Sequence, residues 1–186
     1  MIFQRKGYQV IENFLELDFV NFIQEYFFVR INAQQSVVDP QAPFSYSFYA
    51  DPLIETILGK SCEPLSDITG INLAPQYSYV RLYKENDELV IHRDRPSCEI
   101  SATLALGFSQ EGINSIFFSE NEDQSNATEI KLNPGDLCLY RGCDLYHWRP
   151  PFKNKWYLQA FLHYVDINGP HKDLIYDGRS FLGMQK

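Results

Sequence analysis

The sequence predicts an α+β fold, mainly β: a jelly roll, or double-stranded β-helix, with N-terminal helices packed on one sheet. Three features predict it. Apolar residues recur at helical spacing only in the first third of the chain. From Tyr77 onward the period changes to two. Turn signals then separate a series of short strand-like runs, and helices followed by many strands suit a double sheet with helices on one face.

Tyr8 to Phe14 reads as a strand and Leu15 to Val29 as a helix, with Phe19, Phe22, Ile23, Tyr26 and Phe27 forming a core-packing stripe. Asp39 to Pro43 holds two prolines and reads as a loop. Phe44 to Tyr49 alternates aromatic with small residues, as an edge strand or a lid segment carrying Phe44, Tyr46, Phe48 and Tyr49. Asp51-Pro52 starts a second helix running to about Leu58, with a further one through Ile68. Strands are expected at Tyr77–Lys84, Glu99–Phe108, Ser115–Ser119, Thr128–Leu132, Asp136–Tyr140 and Lys155–Asp166. Glu85-Asn86-Asp87, Gly112, the polar stretch from Glu120 to Asn126, Asn133-Pro134-Gly135 and Pro150-Pro151 separate them. The tail beyond Asp166 carries Gly169-Pro170 and Gly178 and reads as irregular. One domain over 1–186 is expected: a helical support region (1–70), a jelly-roll core (71–166) and the tail (167–186).

Composition narrows the partners. A net charge of −8 repels phosphate backbones, so nucleic acid is not expected as a partner. Cys62, Cys98, Cys138 and Cys143 form no C-x-x-C pair and read as reduced thiols. No apolar leader opens the chain and no run is long enough to span a bilayer. A soluble, cytoplasmic protein without a membrane partner is expected.

His92-Arg93-Asp94 carries the chemistry. In an extended segment the first and third residues point to the same side, so one imidazole and one carboxylate can approach a single metal. Such a triplet is often only a surface ion pair. His147 supplies a second imidazole from a segment that, like the first, falls at a strand end, where a jelly roll has its mouth. Two His and one carboxylate leave three adjacent positions open, the arrangement of non-haem iron(II) oxygenases.

Three stretches, YSYVRLYKENDELVIHRDRPSCEISATLAL, NPGDLCLYRGCDLYHW and WYLQAFLHYVD, resemble the 2-oxoglutarate- and Fe(II)-dependent dioxygenases, in particular the small prolyl-4-hydroxylase-like branch. They run from Tyr77 to Asp166, about half the chain. R-x-Y before H-x-D, P-G-D before the distal His, and an aromatic strand ending in Tyr-x-Asp occur in the family's order. The resemblance implies iron(II) on His92, Asp94 and His147, 2-oxoglutarate and O2 as co-substrates, and stimulation by ascorbate. It also implies hydroxylation of a C–H bond, in a prolyl residue of a peptide or in a small molecule, with release of succinate and CO2.

One position departs from the pattern. Many members carry Arg or Lys about ten residues after the distal His, to grip the far carboxylate of 2-oxoglutarate; here Tyr157 stands there. Arg149 is the first candidate in its place, two residues from His147 and on the same side, a rise of about 6.5 Å along a strand. Tyr83 is expected to add a hydrogen bond. Lys155, on the face of Tyr157, Gln159 and His163, is the second candidate. Arg81, on the face of Tyr79 and Tyr83, is the third, or else an ion pair with one of the many acids. Glu99 and Ser101 either brace the ligands or complete the ladder. His163 faces the cavity or is structural, and His171 has no assigned role. Cys98 and Cys143 read as buried thiols, and Arg95 reaches substrate or braces its loop. Two rival classes remain: a non-catalytic jelly-roll binding module, and a cupin-type isomerase or hydrolase, which usually uses more His ligands, whereas this chain has four His in all.

Overall fold

The computed structural model describes residues 1–109 and 115–185. The turn expected at Gly112 lies outside them. In chain order the helices and strands are α1 (Ile2–Lys6), β1 (Tyr8–Ile11), α2 (Leu17–Asn32), β2 (Val37–Asp39), β3 (Ala42–Tyr49), α3 (Pro52–Lys60) and α4 (Cys62–Thr69). Then follow β4 (Leu73–Lys84), β5 (Leu89–His92), β6 (Ile100–Phe108), β7 (Ile116–Ser119), β8 (Thr128–Ile130), β9 (Leu137–Arg141), β10 (Tyr146–Arg149) and β11 (Trp156–Asp166). The strands form two antiparallel sheets, one of seven strands in the order β1-β9-β6-β11-β4-β3-β2 and one of four in the order β5-β10-β7-β8. This is the jelly-roll core that the alternating pattern predicts.

Alternation sorts each strand between two cores. On β11, Leu158, Ala160 and Leu162 pack with Val80 and Leu82 of β4 beneath Ile23, Phe27, Ile54 and Leu58 of the helices. Each buried Leu, Ile, Val or Phe among them contributes roughly 1.5–3 kcal/mol. The intervening residues, Tyr157 and Phe161 of β11 and Tyr83 of β4, face the space between the sheets with Phe118 and Tyr140. The helices therefore cover the outer face of the large sheet, and the polar chemistry lies on its inner face.

Several local expectations change. On α2, Val20, Ile23 and Phe27 make the buried face, whereas Phe19 and Phe22 stand exposed and stack on each other with centroids 6.4 Å apart. At 100° per residue Phe19 falls on the flank of that face and Phe22 toward the far side of the helix. The stretch from Asp39 to Pro43 is the tight turn of a β2–β3 hairpin rather than a loop. It makes β2 the edge and leaves β3 paired on both sides, with β2 and β4. Period two then divides the four aromatics of β3. Phe48 packs on Phe27, its ring tilted and 5.0 Å away, while Tyr49 lies on the inner side. The tail also takes a definite path. Lys172–Gly178 forms 3-10 turns with Tyr176 and Asp177 in left-handed conformation (φ 60° and 54°). Arg179 holds it down by a bidentate pair with Glu55, Nη1 donating to Oε2 (3.0 Å) and Nη2 to Oε1 (2.9 Å).

The P-G-D turn has a specific job. Gly135 sits at φ 93°, and a Cβ there would come within 2.6 Å of the Leu15 carbonyl oxygen. Asp136 accepts from the backbone N–H of Asn133 (2.9 Å) and of Asn13 (2.9 Å), tying the start of β9 to the N-terminal segment. No helix among the described residues is long and apolar enough to cross a membrane.

Candidate metal centre

The two histidines come together through strand register. β10 pairs antiparallel with β5, and His147 lies directly opposite His92. Their ring centroids are 4.3 Å apart. Nδ1 of His92 lies 2.8 Å from the Val90 carbonyl oxygen, and Nδ1 of His147 lies 3.1 Å from that of Leu145. A carbonyl can only accept, so each Nδ1 carries the proton and each Nε2 keeps a free lone pair. Both Nε2 atoms then lie 3.5 Å from Oδ1 of Asp94.

Asp94 sits just past β5, where its N–H donates to the Gly142 carbonyl (2.9 Å). Its Oδ2 accepts from the Ser101 hydroxyl (2.8 Å), which in turn accepts from Nδ1 of His163 (2.9 Å). Burial pushes the Asp94 carboxyl up, yet the facing imidazoles of His147 and His92 outweigh it and hold the group well below the usual carboxylate range. Burial drives His163 down to about 4 against the opposing charge of Asp94, so it stays neutral and donates through Nδ1. Gly142 makes room for all of this. A Cβ there would lie 2.4 Å from Asp94 Oδ2 and 2.3 Å from the Cys98 carbonyl oxygen.

The ligand atoms of His92, Asp94 and His147 all lie within 4.8 Å of one another, close enough for one ion. Two imidazole nitrogens and an ionised carboxylate suit a divalent first-row metal that keeps open positions. The backbone carbonyls and Ser101 are the outer partners such ligands need to hold their orientation. Asp94, Cys98 and His163 form a second set within the same reach. Burial, with the Asp94 charge, raises the Cys98 thiol to about 11, and Nδ1 of His163 is spent on Ser101, so that set is poorly suited to an ion.

A cavity of about 650 Å³ opens onto the triad. Arg81, Tyr79, Tyr140, Phe161 and His163 line it, and Asp39 and Gln41 of the β2–β3 hairpin close one side. Arg81 is buried; its Nη2 pairs with Asp39 Oδ2 (2.5 Å) and its Nη1 donates to the Tyr83 hydroxyl (3.3 Å). Arg149 is 2% exposed. Its Nη2 donates to Thr103 Oγ1 (3.3 Å), and its guanidinium lies 5.5 Å from the Tyr157 ring centroid. Arg149 is outside the cavity lining, on the far side of His147 along β10. Lys155 is exposed just before β11 and lies outside the lining too. Its face is right by parity, but the strand starts one residue after it.

The remaining candidates resolve individually. Ser101 braces Asp94, whereas Glu99 accepts from the Asp166 N–H (3.1 Å) and joins two chain segments. His163 faces the cavity, and His171 is not among its lining residues. Cys98 is buried within 3.1 Å of the Tyr77 hydroxyl, and Cys143 is half-buried and donates to the Arg95 carbonyl (3.4 Å). Arg95 lies at the rim over Tyr77, 3.5 Å from Asp177 of the tail. Of the lid aromatics only Tyr49 lines the cavity. Asp39, Gln41 and Gly142 were not foreseen. No local pattern marks them, because each matters only through a neighbour distant in sequence.

Comparison with known proteins agrees on the architecture. No protein-family model and no curated protein sequence matches the chain. Among solved structures, a Pseudomonas putida prolyl-4-hydroxylase superposes with a TM-score of 0.70 at 14% identity, covering 88% of this chain and 95% of that one. HygX from Streptomyces hygroscopicus, with nickel and 2-oxoglutarate bound, gives 0.67 at 14% identity over 89% and 85% of the two chains. EctD from S. alaskensis, with 2-oxoglutarate and 5-hydroxyectoine, gives 0.69 at 17% identity over 89% and 74%. The chain therefore has the fold that serves 2-oxoglutarate- and Fe(II)-dependent oxygenases.

Proposed function

We propose that this protein is an Fe(II)- and 2-oxoglutarate-dependent oxygenase that hydroxylates a C–H bond. One observation carries the reading: Nε2 of His92 and of His147 each lie 3.5 Å from Oδ1 of Asp94. Both imidazoles are locked in the tautomer a metal requires. The jelly-roll likenesses support it, since the HygX structure holds a metal ion and 2-oxoglutarate. When bound, the iron and the keto acid supply the oxidising chemistry. The chain holds the ion, positions the substrate and keeps water out.

In this reading Arg149 binds the distal carboxylate of 2-oxoglutarate. It lies about 6.5 Å beyond His147 on the same strand face. It brings a guanidinium together with the Thr103 hydroxyl at the buried end of the barrel. Gln159 lies there too, paired across the ladder from Arg81, and its Nε2 donates to the same Thr103 hydroxyl. A prolyl group is the first substrate to test. The deciding assay mixes protein, Fe(II), ascorbate and 2-oxoglutarate and measures succinate. Turnover in the wild type that disappears with His92→Ala supports the proposal; no succinate, or equal succinate from both proteins, rejects it.

A further inference from the structure

The β2–β3 hairpin places a carboxylate inside the cavity. Asp39 ends the edge strand β2, and its Oδ2 accepts from Arg81 Nη2 (2.5 Å) and from the Tyr79 hydroxyl (2.5 Å). Tyr79 and Arg81 are alternate residues of β4, so both point inward beside the metal ligands. Burial pushes the Asp39 carboxyl up, but the Tyr79 hydrogen bond and the Arg81 charge outweigh it, and the group is ionised.

The grip is incomplete in a way that suits exchange. Arg81 Nε is buried with no hydrogen-bond partner among the described residues. Asp39 engages only the Nη2 corner of the guanidinium. A ligand carboxylate laid along the Nε–Nη2 edge would meet two donors and keep Tyr79 as a third, the stronger bidentate arrangement. Displacing Asp39 costs little backbone structure, since β2 is a three-residue edge strand paired only with β3. Replacing one carboxylate by another also leaves Arg81 compensated throughout, which avoids the penalty of a buried unpaired charge.

We propose that Arg81 and Tyr79 form a second carboxylate-binding subsite beside the metal centre, which Asp39 fills in the unliganded protein and yields to a carboxylate-bearing small molecule. The assignment rests on the oxygenase reading for the role of the ligand, but not for the existence of the subsite. With Arg149 assigned to the co-substrate, the incoming carboxylate belongs to the molecule being oxidised. A cavity of about 650 Å³ has room for a small acid. The substrate is then a free carboxylic acid, such as an amino acid, rather than an internal residue of a peptide.

The test compares Asp39→Asn and Asp39→Glu with wild type by calorimetric titration of the metal-free protein. Two matched pairs serve as probes: L-proline against L-prolinamide, and 2-oxoglutarate against its 5-amide. A receptor filled by its own carboxylate nine times in ten binds ligand roughly tenfold more weakly. Asp39→Asn is expected to gain about that factor for an acid and none for its amide. Asp39→Glu, which keeps the internal carboxylate, stays near wild type. Adding Arg81→Gln to Asp39→Asn removes the gain. A gain confined to the proline pair assigns the subsite to the oxidised substrate. A gain confined to the 2-oxoglutarate pair assigns it to the co-substrate and removes Arg149 from that role. No discrimination in either pair, or Asn and Glu variants that shift together, overturns the proposal and leaves Asp39 as a structural clamp. Manganese titration of the same proteins keeps the two readings separate: loss of metal binding at the triad rejects the oxygenase assignment without touching this one.

Discussion

Gly142→Ala tests the metal centre at a residue that contributes no ligand. An added Cβ would lie 2.4 Å from Asp94 Oδ2, 3.0 Å from Asp94 Cβ and 2.3 Å from the Cys98 carbonyl oxygen. Ordinary contact begins near 3.4 Å, so the carboxylate must retreat by about 1 Å or the Gly142 backbone must move by as much. Either shift pulls Asp94 off two constraints at once, the Ser101 hydroxyl at 2.8 Å and its own N–H bond to the Gly142 carbonyl at 2.9 Å. Metal sites tolerate ligand displacements of only about 0.2 Å, and losing an outer hydrogen bond alone lowers affinity roughly 10–100-fold. Overpacking costs a further ~1–3 kcal/mol of stability. Cobalt(II) titration followed by visible absorption, alongside thermal unfolding, separates the two effects. We expect at least a tenfold weaker ion with a folded protein. Wild-type affinity and an unchanged cobalt spectrum in Gly142→Ala would refute the geometry assigned to Asp94.

Arg149→Ala is expected to raise the 2-oxoglutarate concentration needed for succinate formation by roughly 10- to 100-fold, by loss of a charge-assisted pair, and Lys155→Ala to leave it unchanged; the reverse result would move the anchor to Lys155. Arg179→Ala strands Glu55, which is 1% exposed, and should cost about 3–5 kcal/mol, read as a lower urea midpoint; a smaller loss in the Glu55→Gln/Arg179→Met double variant checks that the stranded charge is the cause. His163 is depressed from 6.5 to about 4 in the fold, so the unfolded chain binds the extra proton first as pH falls. Its contribution is intact above about pH 6.5 and is lost progressively toward pH 4, amounting to about 3 kcal/mol; His163→Gln should flatten the stability profile across that window, and an unchanged profile would show that other groups govern it.

Period and turn chemistry are local properties, and what they control was legible in the sequence. Alternation assigned Leu158, Ala160 and Leu162 to the helices and Tyr157 and His163 to the interior without any knowledge of the partners. The same parity put His92 and Asp94 on one side. What parity could not supply is depth. Lys155 has the right phase, but the strand begins at Trp156 and leaves it exposed. Phe19 and Phe22 have roughly the right spacing, but sit off the face that Ile23 and Phe27 bury. The residues that shape the site most closely, Gly142 under Asp94 and Asp39 on Arg81, act across long stretches of sequence. Gly142 lies in the turn that the Asp144 N–H closes on the Arg141 carbonyl, but it shows no positive φ and that turn needs no glycine, so its absent side chain gains meaning only once Asp94 and Cys98 are packed over it. Asp39 is one acid among twenty-four until a hairpin turn carries it to a buried guanidinium. A chain can thus announce its candidate ligands by spacing, while the space around them emerges only from tertiary structure. That is why Gly142→Ala and Asp39→Asn test this fold more severely than removal of the ligands themselves.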